Sequence, residues 1–256
     1  MTDNVHLLAS DYDGTLSLNR TVSDENIAAI KKWQAAGNLF VICTGRGYCS
    51  IFDVLKKYDL QPDYFILNNG AAAASFRGEY LFQHLIPQGY SEQLFNLLRP
   101  LDCKHITVTG ADGDHLYYRE NDPEPNEHAR ALAEVLNYAP YTQVAVHFRD
   151  EPEKAPLAEK MILENIPALF PNRNHANIDC TAAGLNKGTG VAQLAEHFHL
   201  SPAQCHTIGD GMNDLPMIAR FNGAVIKDTK EADLLEAVEL KMPSVAAYIE
   251  YLLKNS

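Results

Sequence analysis

Basic residues are scarce in this 256-residue sequence: 21 Lys and Arg stand against 33 Asp and Glu, a formal charge of −12. That deficit argues against a nucleic-acid partner or an anionic membrane surface, since both need a basic face. It leaves room for a small anionic substrate held by a local positive field. Cysteines are few and scattered (Cys43, Cys49, Cys103, Cys180 and Cys205), odd in number and without a Cys-x-x-Cys pair. Such usage fits reduced thiols better than a disulfide framework or a zinc site. Long apolar runs are missing: the longest strongly apolar one, 39–43, falls far short of the roughly 20 residues that span a bilayer. The opening Met1-Thr2-Asp3-Asn4 lacks the basic segment and apolar core of a secretory leader, so a cytoplasmic protein with no membrane partner is expected. No repeat and no low-complexity tract occurs. Gly45-Arg46-Gly47 lacks the third glycine of a dinucleotide-binding loop. His197 and His199, two apart, do not share a helix face, which argues against a metal pair. The single Trp33 is expected in the core.

What is present is an alternation of apolar runs and amphipathic stretches, on a chain long enough for one large domain or two moderate ones. Val5-His6-Leu7-Leu8-Ala9 reads as a buried strand, ending in Ser10-Asp11-Tyr12-Asp13-Gly14. Ser23 is a plausible N-cap for a helix carrying Ile27, Ile30 and Trp33, with Asp24 and Glu25 favourable in its first turn and Gly37 its stop. A second strand at 39–43 ends in Thr44-Gly45-Arg46-Gly47. A helix through Ile51, Val54, Leu55 and Tyr58 follows. A third strand at 64–67 ends in Asn68-Asn69-Gly70-Ala71. Strands and helices at this spacing predict βαβ units and a parallel sheet, whose right-handed crossovers bring the strand ends to one edge.

From 72 onward the pattern changes. Segments 72–76 and 79–82 predict a hairpin around Arg77-Gly78. A short helix is expected at 91–98, and a second hairpin at 105–109 and 115–119 around Ala111-Asp112-Gly113-Asp114. Helices are expected at 126–137 and 156–166, with strands at 144–148 and 177–180. This is the pattern of an α+β unit inserted into the α/β one. It carries 15 acidic and 8 basic residues over 83–183, so −7 of the −12 lies there. After Gly184 the α/β pattern resumes: Lys187-Gly188 opens a helix through Val191 and Leu194. A strand at 205–208 ends in Gly209-Asp210-Gly211-Met212-Asn213-Asp214. Helical segments at 215–219, 232–238 and 245–253 and a strand at 223–226 complete the chain.

Taken alone, Asp11 and Asp13 allow three readings: a solvated Asp-Gly turn, a nucleophile with an acid/base partner, or the start of a metal site. Their partners narrow the choice. Asp11, Thr44 and Asp210 each directly follow an apolar strand, so all three should face one sheet edge. Lys187 begins a helix, whose free N–H groups favour an anion. Together these groups are an inventory for phosphoryl transfer: carboxylates for Mg²⁺, a lysine, a hydroxyl and turn amides for phosphate oxygens, and an acid to protonate a leaving alcohol.

The ordered motifs Asp11-Tyr12-Asp13-Gly14-Thr15-Leu16, Thr44-Gly45-Arg46, Lys187-Gly188 and Gly209-Asp210-Gly211-Met212-Asn213-Asp214 resemble those of the haloacid dehalogenase superfamily. The insert between the second and third resembles its Cof-like, sugar-phosphatase-type branch. The resemblance covers about residues 1–82 and 184–256; the insert resembles the branch mainly in position and size. It implies a three-layer, Rossmann-like α/β core over 1–82 and 184–256 and an inserted α+β cap over 83–183 that selects substrate. Asp11 would be the nucleophile that forms an aspartyl-phosphate and Asp13 the general acid/base. Thr44, Gly45 and Lys187 would bind phosphate, with Lys187 also restraining Asp11. Mg²⁺ would be held by Asp11, Asp13, Asp210, Asn213 and Asp214. Arg46, Asn69, Arg119 and Arg149 are candidates to touch substrate, and Tyr117, Tyr118 and His147 are further cap residues suited to a sugar or anion. Tyr12 replaces a more usual aliphatic or Phe residue at an inward-packed site. An Asp at 13 fits a phosphatase or a phosphomutase of hexose phosphates better than a carbon-attacking dehalogenase or an ion pump. The expected activity is hydrolysis of a small phosphorylated metabolite by a monomer or small homo-oligomer. A non-catalytic phosphometabolite-binding protein is the rival of another class, and its cheapest signature, loss of an essential acid or lysine, is absent.

Overall fold

The structure, a computed structural model, describes residues 5–255, leaving aside the side chain of Asn222. The leader reading of Met1-Thr2-Asp3-Asn4 lies outside the described residues. The chain opens with β1 (Leu7–Ser10), fully buried, and a small hairpin of β2 (Ser17–Leu18) and β3 (Thr21–Val22). Helix α1 (Asp24–Ala35) starts where Ser23 accepts a hydrogen bond from Asn26 N and ends before Gly37. A cap of this kind stabilises a helix by about 1 kcal/mol. Then follow β4 (Leu39–Cys43), α2 (Tyr48–Leu55), β5 (Tyr64–Leu67), β6 (Ala72–Ser75) and β7 (Tyr80–Gln83).

The insert contributes α3 (Tyr90–Leu98), β8 (His105–Gly110), β9 (His115–Arg119), α4 (Leu132–Asn137), β10 (Tyr141–His147), α5 (Ala155–Asn165), β11 (Leu169–Asn174) and β12 (Asn177–Ala182). The return carries α6 (Lys187–His197), β13 (Cys205–Gly209), α7 (Leu215–Arg220), β14 (Asn222–Ile226), α8 (Ala232–Ala237), β15 (Lys241–Met242) and α9 (Val245–Asn255).

Two main sheets result. One has the order β15-β14-β13-β1-β4-β5-β6-β7, parallel from β15 to β5 and antiparallel through β6 and β7. Side-chain alternation along its strands feeds two cores. Leu8, Phe40, Ile42, Phe65 and Ile208 pack against Ile30, Trp33, Ile51 and Tyr248 of α1, α2 and α9. Leu7, Ala9, Val41, Cys43 and Ile66 pack against Val191, Leu194, Met217 and Leu234 of α6, α7 and α8. This is a three-layer α/β architecture. The sequence order turns back on either side of β1, so the ends of β1, β4 and β13 open into one crevice.

The second sheet, β11-β12-β10-β8-β9, is antiparallel throughout. Ile106, Val108, Val144, Val146, Ile178 and Cys180 form its buried face, packed with Leu94, Leu98 and Ile162 of α3 and α5. The alternate residues Thr107, Thr109, Gln143, His147 and Asp179 form its other face and line the crevice. One expected helix is shorter than its pattern suggested: of 126–137 only 132–137 is helical. Residues before it instead bond to β9, with Tyr117 N donating to the His128 carbonyl at 3.1 Å and Arg130 N to the Tyr117 carbonyl at 2.9 Å. Among the described residues no helix is long and apolar enough to cross a membrane.

Candidate active site

The crevice is a cavity of about 540 Å³ bounded by strand ends of the first sheet and the polar face of the second. Asp11 leaves β1 with its N–H still bonded to Ile208 O of the neighbouring strand at 2.9 Å, which carries the sheet's geometry one residue further. The chain then turns tightly: Ser17 N donates to Tyr12 O at 2.7 Å and Gly14 N to Ser17 O at 3.0 Å. Tyr12 points into the core, as expected. Gly14 has φ +93°, and a Cβ there would lie 2.2 Å from Asp210 Oδ2. Only glycine both adopts that backbone and lets the Asp210 carboxylate lie across the turn.

From the other side, α6 presents Lys187 at its first turn. Asn186 caps the helix by accepting from Thr189 N at 3.0 Å. A Cβ on Gly188 would meet Pro216 O at 2.5 Å, so glycine lets this end of α6 approach α7 closely. Lys187 Nζ thereby reaches Asp11 Oδ1 at 2.6 Å and Asp214 Oδ1 at 2.5 Å, with side-chain exposures of 1 %, 8 % and 1 % for Lys187, Asp11 and Asp214. Asp214 Oδ2 accepts from the N–H groups of Asp210 (3.0 Å) and Gly211 (2.9 Å). Asp210 Oδ1 accepts from Thr15 Oγ1 at 2.6 Å.

Three carboxylates therefore crowd around one ammonium, which touches two of them. Burial pushes the Asp11 carboxyl well up; Lys187 pulls it back, while Asp214 and Asp210 add to the push. Burial likewise raises Asp210, against the hydrogen bond from Thr15. On Lys187 burial opposes the charge, yet the Asp11 and Asp214 carboxylates outweigh it and hold the ammonium above the ordinary lysine range. The cluster is short of positive charge. The carboxylate oxygens of Asp11, Asp210 and Asp214 lie within 4.8 Å of one another. Hard oxygen donors with uncompensated charge fit Mg²⁺. Asp214 is already engaged at both oxygens, so Asp11 and Asp210 are the residues that could hold the ion.

The other sequence candidates fall out differently. Thr44 is buried at the end of β4, with Gly45 beside it on the cavity wall. Asp13 lies outside the carboxylate cluster: its carboxylate receives Arg46 Nε at 2.6 Å and Nη2 at 2.8 Å, an ion pair at the cavity rim. Arg46 is thus engaged with Asp13 as well as lining the cavity. Asn213 also lines the cavity, but its amide donates to Asn69 Oδ1 at 3.2 Å. Asn69, expected at the substrate, is fully buried instead. Its amide donates to Asp179 Oδ2 (3.1 Å) and Gln143 Oε1 (3.3 Å), which consumes its polar groups in joining the two sheets. Arg149 and His147 line the cavity. Arg119 and Tyr117 line a smaller neighbouring cavity of about 400 Å³, with Arg119 4.0 Å from Asp122. Tyr118 packs against the insert's apolar core.

The sequence reading missed Asp179 and Gln143. Gln143 Nε2 donates to Gly45 O at 3.1 Å, and burial pushes the Asp179 carboxyl up to about 6. The signal for Asp179 was the alternation Ile178-Asp179-Cys180, which places one acid on the face opposite two apolar residues. His147, held by Asn177 Oδ1 (2.8 Å) and Thr107 Oγ1 (3.1 Å), is pushed down to about 4 by burial, so it faces the cavity as a neutral ring at pH 7.

Comparison with known proteins follows the same lines. Residues 8–225 match the family model described as haloacid dehalogenase-like hydrolase. The 5-amino-6-(5-phospho-D-ribitylamino)uracil phosphatase YcsE of Bacillus subtilis is 24 % identical, over 84 % of this chain and 80 % of its own. The HMP-PP phosphatase of Serratia proteamaculans is 25 % identical, over 86 % of this chain and 82 % of its own. Among solved structures, the subclass IIB sugar phosphatase BT4131 superposes with a TM-score of 0.80 at 20 % identity, covering 96 % of this chain and 98 % of that one. At that identity the superposition speaks for the fold.

Proposed function

From the premise that the chain belongs to the haloacid dehalogenase-like hydrolases, and is a phosphatase of that family, we propose that it hydrolyses a small phosphomonoester, a sugar phosphate or similar metabolite, through an aspartyl-phosphate on Asp11 with Mg²⁺. The observation that carries this reading is Lys187 seated between Asp11 and Asp214 beneath a cavity that Asp210, Thr44 and Gly45 also line.

In this reading a carboxylate oxygen of Asp11 forms a bond to phosphorus as the bond to the leaving alcohol breaks. Asp13, released from its ion pair with Arg46 and protonated, gives that alcohol its proton. In the second half Asp13 takes a proton from water, whose oxygen attacks the acyl-phosphate and releases inorganic phosphate and the Asp11 carboxylate. Lys187, the Thr44 hydroxyl and turn N–H groups hold the phosphoryl oxygens. Mg²⁺ held by Asp11 and Asp210 would draw charge from those oxygens. Residues 83–183 act as a cap that excludes bulk water and selects the leaving group through Gln143, His147, Arg149 and Asp179.

Phosphate release across a panel of phosphomonoesters, with and without Mg²⁺, tests the reading. Asp11→Asn is expected to abolish turnover, and retained activity removes the covalent route. Asp13→Asn is expected to slow steady-state turnover of alkyl and aryl phosphates alike by about 10²–10⁴-fold, because the hydrolytic half is common to both, while the burst of alcohol released from an aryl phosphate, whose leaving group needs no proton, stays fast. A burst slowed equally on alkyl and aryl phosphates removes Asp13 from the acid role. Formation of an isomeric hexose phosphate in place of free phosphate would mark a mutase.

A further inference from the structure

The cap carries a second group of ligand-type side chains, apart from the carboxylate cluster. The β8–β9 turn brings Asp114 and His115 together, and residues 121–131 fold back so that His128 lies over them. The His115 and His128 rings stack with centroids 4.3 Å apart and an interplanar angle of 24°. Their Nδ1 atoms approach one oxygen, Asp114 Oδ1, at 3.7 Å and 3.4 Å. The three donor atoms lie within 4.8 Å of one another.

Both N···O separations are too long for a good hydrogen bond. They are close to the spacing of about 3.3 Å between donors of a tetrahedral ion with bonds of about 2.0–2.1 Å. A separate observation concerns the far side of His128: its Nε2 faces Glu127 Oε1 at 3.6 Å. That separation is also longer than a hydrogen bond, but it sets a carboxylate on the side of the ring where a metal-bound imidazole usually keeps one.

We propose that Asp114, His115 and His128 bind one Zn²⁺, with Glu127 as the outer partner of His128. Two imidazole nitrogens and one carboxylate oxygen suit a borderline ion such as Zn²⁺ better than Mg²⁺ or Ca²⁺. Three ligands leave a tetrahedral ion one position for water or an oxygen of a bound molecule. The ion clips 121–131, which has little regular structure of its own, onto the β8–β9 hairpin. His115 lines both the active-site cavity and its smaller neighbour, so the clip stiffens the wall they share. The proposal is independent of the role given to Asp11.

The test is equilibrium dialysis of Zn²⁺ against the full chain carrying Asp210→Asn, which removes a donor from the core cluster. One Zn²⁺ is expected to remain bound. Adding His128→Gln or Asp114→Asn should weaken its retention by more than the about 10–100-fold typical of losing a supporting partner, and Glu127→Gln by an amount within that range. Co²⁺ in place of Zn²⁺ should give visible ligand-field bands that vanish in His128→Gln. Circular dichroism confirms that each variant is folded, and having two ligand variants keeps the test open if one is not. Absence of bound Zn²⁺ in the Asp210→Asn chain, or retention undiminished from that chain when folded His128→Gln and Asp114→Asn are added to it, overturns the proposal.

Discussion

Replacing Lys187 by Met keeps the length of the side chain and removes its charge. The ammonium is buried and touches two carboxylates at 2.6 and 2.5 Å. At an effective dielectric of about 20, each contact is worth roughly 6 kcal/mol of attraction, against a desolvation cost of several kcal/mol per ion. The net cost of removing one member of such a buried group is about 3–5 kcal/mol, because the remaining charges stay behind unpaired. At about 2–4 °C per kcal/mol for a chain of this size, Tm should fall by roughly 10 °C.

The pH dependence has a definite sign. Asp11 is already raised above its ordinary value by burial, and Lys187 is what pulls it back. Without the lysine it rises further, so the folded chain binds more protons than the unfolded one over a wider range above the ordinary Asp pKa. Stability then falls as pH rises through that window. The deficit of Lys187→Met should therefore shrink on acidification and widen toward neutral pH. Saturating Mg²⁺ should raise the variant's Tm by more than the wild type's, since the ion meets one more uncompensated charge. Differential scanning calorimetry from pH 5 to 8, with and without Mg²⁺, reads all three effects. A Tm within about 2 °C of wild type at neutral pH, or a deficit that grows on acidification, would refute the charge argument.

Other expectations follow from the same geometry. Gly14→Ala places a Cβ 2.2 Å from Asp210 Oδ2 at φ +93°; beyond about 1–2 kcal/mol of backbone strain, it should displace Asp210 and raise the Mg²⁺ concentration needed for half-maximal activity, read by metal titration. Asp179, at about 6, binds its proton more tightly in the folded than in the unfolded chain, so its contribution to wild-type stability should fall by up to roughly 3 kcal/mol as pH rises from about 4 to 6. Asp179→Asn, which still accepts from Asn69, should not show that fall in urea titrations at the two pH values. Arg149→Ala should raise KM for substrates with polar or anionic leaving groups while sparing an aryl phosphate, and Arg119→Ala, on the neighbouring cavity, should do so far less; equal effects on a substrate panel would contradict the placement.

The core was legible in the sequence because its signals are local. β1, β4 and β5 are nearly continuous apolar runs, and β13 a shorter mixed one; each stops at a small or polar residue, and a parallel sheet then brings those ends together by topology alone. The edges were not legible. β11, Leu169-Phe170-Pro171-Asn172-Arg173-Asn174, contains a proline and too few apolar residues to signal a strand. It pairs only with β12, at the edge of its sheet, where a missing N–H is tolerated. β2, β3 and β15 span two residues each and exist only through their pairing. In 126–137 helical spacing ran on past what forms, because bonds from β9 capture residues 128–130. Within the site, residue types pointed to Asp11, Asp210 and Lys187. That Asn69 is spent inside the protein, and that Arg46 is engaged by Asp13, depends on contacts between segments far apart in sequence.

Those long-range contacts bear on how residues 83–183, the cap of the proposed reading, would do their work. Asn68 Nδ2 donates to Thr142 Oγ1 at 2.6 Å, Asn69 joins Asp179 and Gln143, and Gln143 returns a bond to Gly45 O. Cys49 N reaches Gly113 O at 3.2 Å, and Gln83 Nε2 reaches Ala111 O at 2.6 Å. At about 0.5–1.5 kcal/mol each, these bonds favour the cap resting on the core by several kcal/mol before any substrate arrives. The loop that carries Thr44 and Gly45 is therefore positioned partly by the cap. A leaving group that displaces Gln143 or Asp179 from these bonds disturbs the loop proposed to hold its own phosphate. In the proposed reading, selection of the leaving group and readiness of the phosphate site are in this way coupled. Gln143, bonded to Gly45 O directly, and Asn69, which touches neither sugar nor phosphate in this reading, are the residues through which the two are coupled.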